Sequence, residues 1–263
     1  MKVSIITPTY NSAATIRDTV RSVVEQSHPQ IEHIIVDGAS KDNTVELALS
    51  EGHKGPVLIE SDNGLYDAMN KGIQMATGDV VGILNSDDFY SHTHAIDHVV
   101  HAFKKHNRDS VYSDLLYVDT QDTTKVLRTW VAGKFHRRHF LRGWMPPHPT
   151  FFVRRSIYES YGSFNLNLKS SADYELILRF LFVHKISVEY LPGILVHMRA
   201  GGQSNRSVFN RLTAHREDYN AWRLNGLSPK WYTLMMKPTR KIQQFVMKHR
   251  SSALLPTQSP VNL

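Results

Sequence analysis

Strand and helix signals alternate through the first hundred residues, and this rhythm constrains the fold more than any other feature. Val3 to Thr7 is a short apolar run rich in β-branched residues, and Ile16, Val20, Val23 and Val24 then mark one face of a helix. Ile31 to Val36 repeats the strand signal, Asp42 offers an N-cap to a short helix through Leu47 and Ala48, and Pro56 to Ile59 is a third strand. Leu65 to Ala76 is predicted helical, with Leu65, Met69, Ile73 and Ala76 on one side. Gly78 stops it, Val80 to Leu84 is a fourth strand, and Ile96, Val99, Val100 and Phe103 describe a further amphipathic helix. Strands separated by helices in this way require right-handed crossovers and a sheet covered on both faces. The expected fold is therefore α/β, a Rossmann-like, doubly wound, mostly parallel sheet.

In such sheets ligands sit beyond the carboxyl ends of the strands. All four predicted ends are polar: Thr7-Pro8-Thr9-Tyr10-Asn11, Asp37-Gly38, Glu60-Ser61-Asp62-Asn63-Gly64 and Asn85-Ser86-Asp87-Asp88. Any one of these aspartates alone reads as a helix cap or turn residue. Several converging on one edge repel one another unless a cation or hydrogen-bond donors satisfy them, which points to a bound metal or a ribose and base.

The charge distribution agrees. Residues 1–100 hold 6 Lys+Arg against 14 Asp+Glu, whereas residues 101–263 hold 25 against 10, so the overall +7 is not a nucleic-acid footprint spread over the whole chain. Neither G-x-G-x-x-G nor G-x-x-x-x-G-K-[ST] follows the first strand, which argues against NAD, FAD and P-loop chemistry. Without an amide cradle a diphosphate needs a divalent cation, and Asp87-Asp88, in a turn after an apolar strand, suits one. No apolar run is long enough to span a membrane, there is no secretory leader pattern, and cysteine is absent, so a cytoplasmic protein is expected.

Ser4-Ile5-Ile6-Thr7-Pro8-Thr9-Tyr10-Asn11, Ile34-Ile35-Val36-Asp37-Gly38-Ala39-Ser40-Lys41-Asp42-Asn43-Thr44 and Leu84-Asn85-Ser86-Asp87-Asp88 resemble the successive signatures of family 2 glycosyltransferases with the GT-A fold. Asp62-Asn63-Gly64-Leu65-Tyr66-Asp67-Ala68-Met69-Asn70-Lys71-Gly72 is similar to bacterial members that build exopolysaccharide, colanic-acid-type or lipopolysaccharide repeats. The resemblance covers about residues 1–205. It implies that Pro8 and Tyr10 line a nucleobase pocket, that Asp37 and Asp62 bond base or ribose, that Asp87 lies near the ribose and that Asp88 binds Mn²⁺ or Mg²⁺. The family pattern has Asp-Asp-Gly-Ser where this chain has Asp37-Gly38-Ala39-Ser40.

The second half is expected to supply acceptor and base. Ser110 to Val118 and Thr124 to Trp130 read as a β pair, and Phe135 to Trp144 is basic and aromatic, a solvated face or a contact for a phosphate-bearing acceptor. Pro146-Pro147-His148-Pro149 is predicted extended, holding His148 on a stiff loop. Ser170-Ser171-Ala172-Asp173-Tyr174-Glu175 opens a helix with Leu176, Leu178, Phe180 and Phe182 on its core face. Asp173 matches the family's catalytic-base position in an Asp-Tyr-Glu-Leu setting, the rival role being a helix cap. One base and one displacement imply inversion at the anomeric carbon. After a strand from Ile186 to Leu191, a second from Val196 leads to Gly201-Gly202-Gln203-Ser204, which resembles the family's Gly-Gly-x-Ser signature. Along it, His197 is a candidate metal ligand and Arg199 a candidate for neutralising leaving-group charge, each set against a packing role.

From Leu227 onward there are 6 Lys+Arg and no acid, interleaved with aromatic and aliphatic residues. Such a segment can lie on an anionic inner leaflet, or dock on protein. The expected organisation is a GT-A domain over 1–205, with a nucleotide-binding half 1–105 and an acceptor half 106–205, followed by a basic amphipathic helical region 206–250 and a frayed end 251–263. The expected activity is inverting, metal-dependent transfer of one sugar from a nucleotide-diphosphate sugar to a glycan or polyprenyl-diphosphate-linked acceptor, in bacterial surface polysaccharide biosynthesis. Membrane contact is expected through 227–250, peripheral on the inner face, and nucleic acid is not an expected partner. The alternatives are a non-catalytic basic protein binding nucleic acid or an anionic glycan, and a nucleotidyltransferase.

Overall fold

Buried apolar strands must pair, because their backbone groups have no water to bond. In the computed structural model, which describes residues 1–201, 208–233 and 236, β1 (Val3–Thr9) is central to a parallel half-sheet. On one side lie β2 (Ile31–Asp37) and, beyond it, β3 (Val57–Ile59); on the other lies β4 (Val80–Ile83). The pleat sends alternate residues to opposite faces. Ile6, Ile34 and Val36 share a core with Ala68, Met69 and Ile73, while Val3 and Ile5 pack with Ile96, Val99 and Phe103, and Ile35 packs with Ile16, Val20 and Ala48.

The helices that supply those residues are α1 (Ile16–Val24), α2 (Thr44–Ser50), α3 (Leu65–Met75) and α4 (Ala95–His106), so α3 covers one face and the other three cover the opposite one. Two residues expected on buried faces, Val24 and Leu65, are exposed at the ends of their helices. Asp42 stands one residue before the N-cap Asn43 and accepts from the Thr44 amide and hydroxyl, so it braces the turn into α2 without being its N-cap.

Beyond β4 the sheet becomes mixed. β5 (Phe89–Tyr90), β6 (Ser110–Val118), β7 (Val126–Trp130), β8 (Phe152–Arg154) and β9 (Val188–Arg199) complete the order β3-β2-β1-β4-β8-β6-β9-β5, with β7 paired to β6 as expected. One continuous sheet therefore crosses both halves of the chain. The two strands expected around 186–199 are a single β9: Pro192-Gly193 does not end it, because the β6–β9 register shifts at Ser113 and Asp114 absorb the irregularity. Gly193 has φ 120° there, and its carbonyl accepts the Ser113 hydroxyl.

The segment expected to be extended at Pro146–Pro149 also differs. Pro147 is extended, but His148–Thr150 forms a single 3₁₀ turn, closed by the Thr150 amide and hydroxyl on the Pro147 carbonyl. A proline in the first turn of a helix loses no bond, so Pro149 is compatible with it.

Three helices follow: α5 (Arg155–Tyr161), α6 (Ala172–Ile177), which widens into a π-helical stretch Leu178–Val183, and α7 (Val208–Leu224). Trp222 on α7 is buried and donates its indole N–H to the Tyr174 hydroxyl on α6. Gly202-Gln203-Ser204, most of the 227–250 segment and the 251–263 end lie outside the described residues.

Candidate active site

The carboxyl ends of β1, β2 and β4 bring the predicted donor-side residues to one edge of the sheet. Pro8 is buried within β1, and the Tyr10 ring, just past its end, is 59% exposed above the crevice. Asp37 is buried at the end of β2 with partners already in place: it accepts from the Thr9 hydroxyl at 2.7 Å, the Ser40 amide at 2.8 Å and the Ser40 hydroxyl at 2.6 Å. It locks the turn after β2.

Asp62 stands beside that turn. One of its oxygens accepts the Gly64 amide at 2.9 Å, and the other lies where a Cβ on Gly38 would fall, 2.4 Å from it. A Cβ there would also touch the Tyr10 ring at 3.4 Å. Gly38 has no positive φ, so the glycine serves close approach, letting a carboxylate from the β3–α3 loop occupy the space of a side chain at position 38.

Asp88 is fully buried. Its Oδ2 accepts from the Asn85 side-chain amide at 3.0 Å, and its Oδ1 is buried without a hydrogen-bond partner. Burial, reinforced by the neighbouring Asp87 charge, pushes the Asp88 carboxyl well above its ordinary range. An orphaned carboxylate oxygen next to a second carboxylate is a donor set for a hard divalent cation. Among the described residues no three His, Cys, Asp or Glu side chains cluster as a ligand set, so the protein would hold such an ion with few ligands and leave the remainder to phosphate oxygens and water.

The structure does not bring His197 into this group. On β9 it faces Phe89 of β5, the rings edge to face at 5.1 Å, and burial with the nearby His92 lowers its basicity. Arg199, two residues on, donates to the Asp87 carbonyl at 2.7 Å and to the Asp18 carboxylate. Its guanidinium braces the Asp87 loop from behind.

Asp173 enters from α6. Its Oδ1 accepts from the Tyr66 hydroxyl at 3.1 Å, and its Oδ2 lies 3.5 Å from His148 Nδ1. The other ring nitrogen of His148, Nε2, lies 3.5 Å from the Asn85 amide nitrogen that also serves Asp88. With Asn85 donating, Nε2 is the acceptor and Nδ1 carries the proton toward Asp173. Burial lowers the His148 pKa, against the pull of Asp173 and Asp87, and so favours the neutral ring. Burial and the Asp173 charge push the Tyr66 phenol well up, keeping it a donor. Asp88, Asn85, His148, Asp173 and Tyr66 thus form one chain of polar contacts from the end of β4 to the first turns of α6 and α3.

What seats Asp173 is remote in sequence. The Glu217 carboxylate on α7 accepts the amides of Lys169, Ser170 and Ser171 at 3.0, 2.7 and 3.1 Å, fixing the entry to α6. Glu175 faces away, paired with Arg179 at 2.9 Å and bonded to Asn225. Asn85 and Tyr66 lie inside the motifs quoted above but carry no sequence signal of their contacts, and Glu217 lies in no motif.

Comparison with known proteins shows the family to which the chain belongs. The sequence matches Glycosyl transferase family 2 over residues 4–162. A PGL/p-HBAD biosynthesis glycosyltransferase of Mycobacterium bovis (strain BCG / Pasteur 1173P2) is 30% identical over 210 residues, 78% of this chain and 80% of that one. Among solved structures, S. aureus TarS 1-349 in complex with UDP-GlcNAc superposes with a TM-score of 0.67 at 17% identity, over 97% of this chain and 77% of that one. Mannosyltransferase PcManGT from Pyrobaculum calidifontis, in complex with GDP-Man and Mn²⁺, gives 0.64 at 17%, over 98% and 76%. At these identities the two structures establish a shared fold. On the family match and the mycobacterial relative together, the chain belongs to glycosyl transferase family 2 and is a glycosyltransferase with the GT-A fold.

Proposed function

We propose that the protein transfers one sugar, with inversion, from a nucleotide-diphosphate sugar to a glycan or polyprenyl-diphosphate-linked acceptor, and that it serves bacterial surface polysaccharide biosynthesis. The observation that carries this reading is the placement of Asp173. Its two oxygens are oriented by Tyr66 and His148, and it is linked through His148 and Asn85 to Asp88. The UDP-GlcNAc and GDP-Man held by the two structural neighbours support the class of donor.

In this reading the base packs near Tyr10 and Gly38, within reach of Asp62, and the diphosphate lies along Asp87-Asp88. Asp88 would hold the cation, with its orphan Oδ1 as the ligand atom. When bound, Mn²⁺ or Mg²⁺ neutralises charge that develops on the leaving diphosphate. The acceptor hydroxyl lies against Asp173. As its oxygen bonds to the anomeric carbon, the bond from that carbon to the diphosphate oxygen breaks, and the hydroxyl proton passes to the Asp173 carboxylate. Tyr66 and neutral His148 orient the carboxylate, and Asn85 sets the His148 tautomer.

One displacement with Asp173 as the base that deprotonates the acceptor hydroxyl supports inversion. Proton NMR of the product made from an α-linked donor tests this directly: a β-linked product is expected, and an α-linked product would contradict the mechanism.

A further inference from the structure

Two stretches of this chain contain no acidic residue, 123–158 with eight Lys+Arg and 219–263 with seven. They meet in the structure. After α7, Leu227 packs against the main core, and buried Thr233 donates its hydroxyl to the Leu141 carbonyl at 2.8 Å. This contact sets Lys230 and Trp231 beside the 3₁₀ segment Arg137–Arg142.

That segment is anchored from within and basic outside. Phe140 and Trp144 are buried, while Lys134, Arg137, Arg138 and Arg142 are exposed. Arg137 is held with its guanidinium over Phe182, 4.3 Å from the ring centre. Trp231 is 83% exposed, the most exposed large hydrophobic side chain among the described residues. An exposed indole, edge to face with Tyr232 and beside five cations, with no carboxylate in either stretch, has the chemistry of a bilayer interface: the ring enters the headgroup zone and the cations pair with anionic phosphates.

We propose that Lys134, Arg137, Arg138, Arg142, Lys230 and Trp231 form one docking surface for an anionic phospholipid bilayer. Charge complementarity selects an anionic surface, and the exposed indole selects a bilayer over a soluble polyanion. The segment runs through Trp144 and Pro147 directly to His148, which faces Asp173, so a bilayer on this surface lies next to the acceptor side of the crevice. The proposal deepens the reading of a membrane-held acceptor and rests on it for its purpose.

The test is vesicle flotation of the full chain with phosphatidylcholine, with and without phosphatidylglycerol, together with tryptophan fluorescence. Binding only to the anionic vesicles is expected, with a blue-shifted emission that Trp231→Phe abolishes; Trp144 and Trp222 are already buried. Lys134→Glu with Arg138→Glu is expected to lower partitioning by roughly tenfold or more. Equal partitioning of that double variant, or binding without a Trp231 shift, would overturn the proposal. So would duplex DNA that binds as tightly and produces the same shift, which would assign the surface to nucleic acid. Donor hydrolysis by the wild-type protein without vesicles separates the two readings. Hydrolysis without vesicle binding defeats only the docking surface, and vesicle binding without hydrolysis defeats only the proposed reaction.

Discussion

The Tyr66 hydroxyl donates to Asp173 Oδ1 at 3.1 Å across 107 residues of chain, joining the first helix turn after the Asp62 loop to the first turn of α6. This bond couples the loop that carries Asp62 to the residue proposed to deprotonate the acceptor. Tyr66→Phe keeps the ring, which stacks on Phe164 at 5.4 Å, and removes only the donor. A hydrogen bond to a charged group contributes about 1.5–3 kcal/mol, so turnover is expected to fall by roughly ten- to a hundredfold. Steady-state kinetics should show the loss in kcat, with donor KM little changed.

Glu217 gathers three backbone amides at the entry to α6. Glu217→Ala leaves partly buried donors without a partner, at a cost of about 2 kcal/mol. Urea unfolding should show this loss, accompanied by a fall in kcat as Asp173 loses its seat. Glu217→Gln, which retains one acceptor oxygen, should recover part of both.

Gly38 permits the approach of Asp62. Gly38→Ala forces the Asp62 carboxylate aside, while nothing in the local backbone opposes alanine. Overpacking of this kind costs about 1–3 kcal/mol, and here it falls on a loop. Isothermal titration with the preferred nucleotide should show a Kd raised by about tenfold, with thermal stability nearly unchanged.

His33 and His53 form a buried pair, Nδ1 to Nδ1 at 3.2 Å, with His33 Nε2 bonded to the Thr7 hydroxyl. Burial and the His53 charge hold the His33 pKa down to about 3, and burial lowers that of His53. The unfolded chain therefore binds more protons than the folded one between about pH 6.5 and 3, and stability falls as pH drops through that window. Glu32, held down to about 2 by Lys2, Ser4 and Thr77 against the cost of its burial, adds to the loss only below its ordinary value of 4.5. Urea midpoints measured from pH 7 to pH 5 should fall, and should fall less in a His33→Gln variant. A flat profile in the wild type would refute the assignment.

The parallel half of the fold was legible because its signals are local. Ile96, Val99, Val100 and Phe103 form the buried stripe that their spacing predicts, and of the strand expected over Val80 to Leu84, Val80–Ile83 forms β4, buried between β1 and β8. The mixed half was less so. β8 is three residues long, and β9 runs through Pro192-Gly193, because pairing with β6 supplies what local propensity denies. Among site residues, the motifs located the aspartates but not their partners. Asp37 is satisfied by Thr9 and Ser40, Asp88 keeps an orphan oxygen, and Asp173 depends on Tyr66, His148 and Glu217, relationships that exist only once distant segments meet.

The central claim is that Asp173 is the base and Asp88 the anchor of the donor's cation. The most direct measurement is donor turnover with Mn²⁺ and with chelator across UDP-, GDP- and dTDP-sugars, comparing the wild type with Asp173→Asn and Asp88→Ala. One donor should respond to metal. With it, Asp173→Asn should lose on the order of 10²–10⁴ in turnover while still binding donor, and Asp88→Ala should lose metal-dependent binding. Turnover by Asp173→Asn at the wild-type rate would contradict the account.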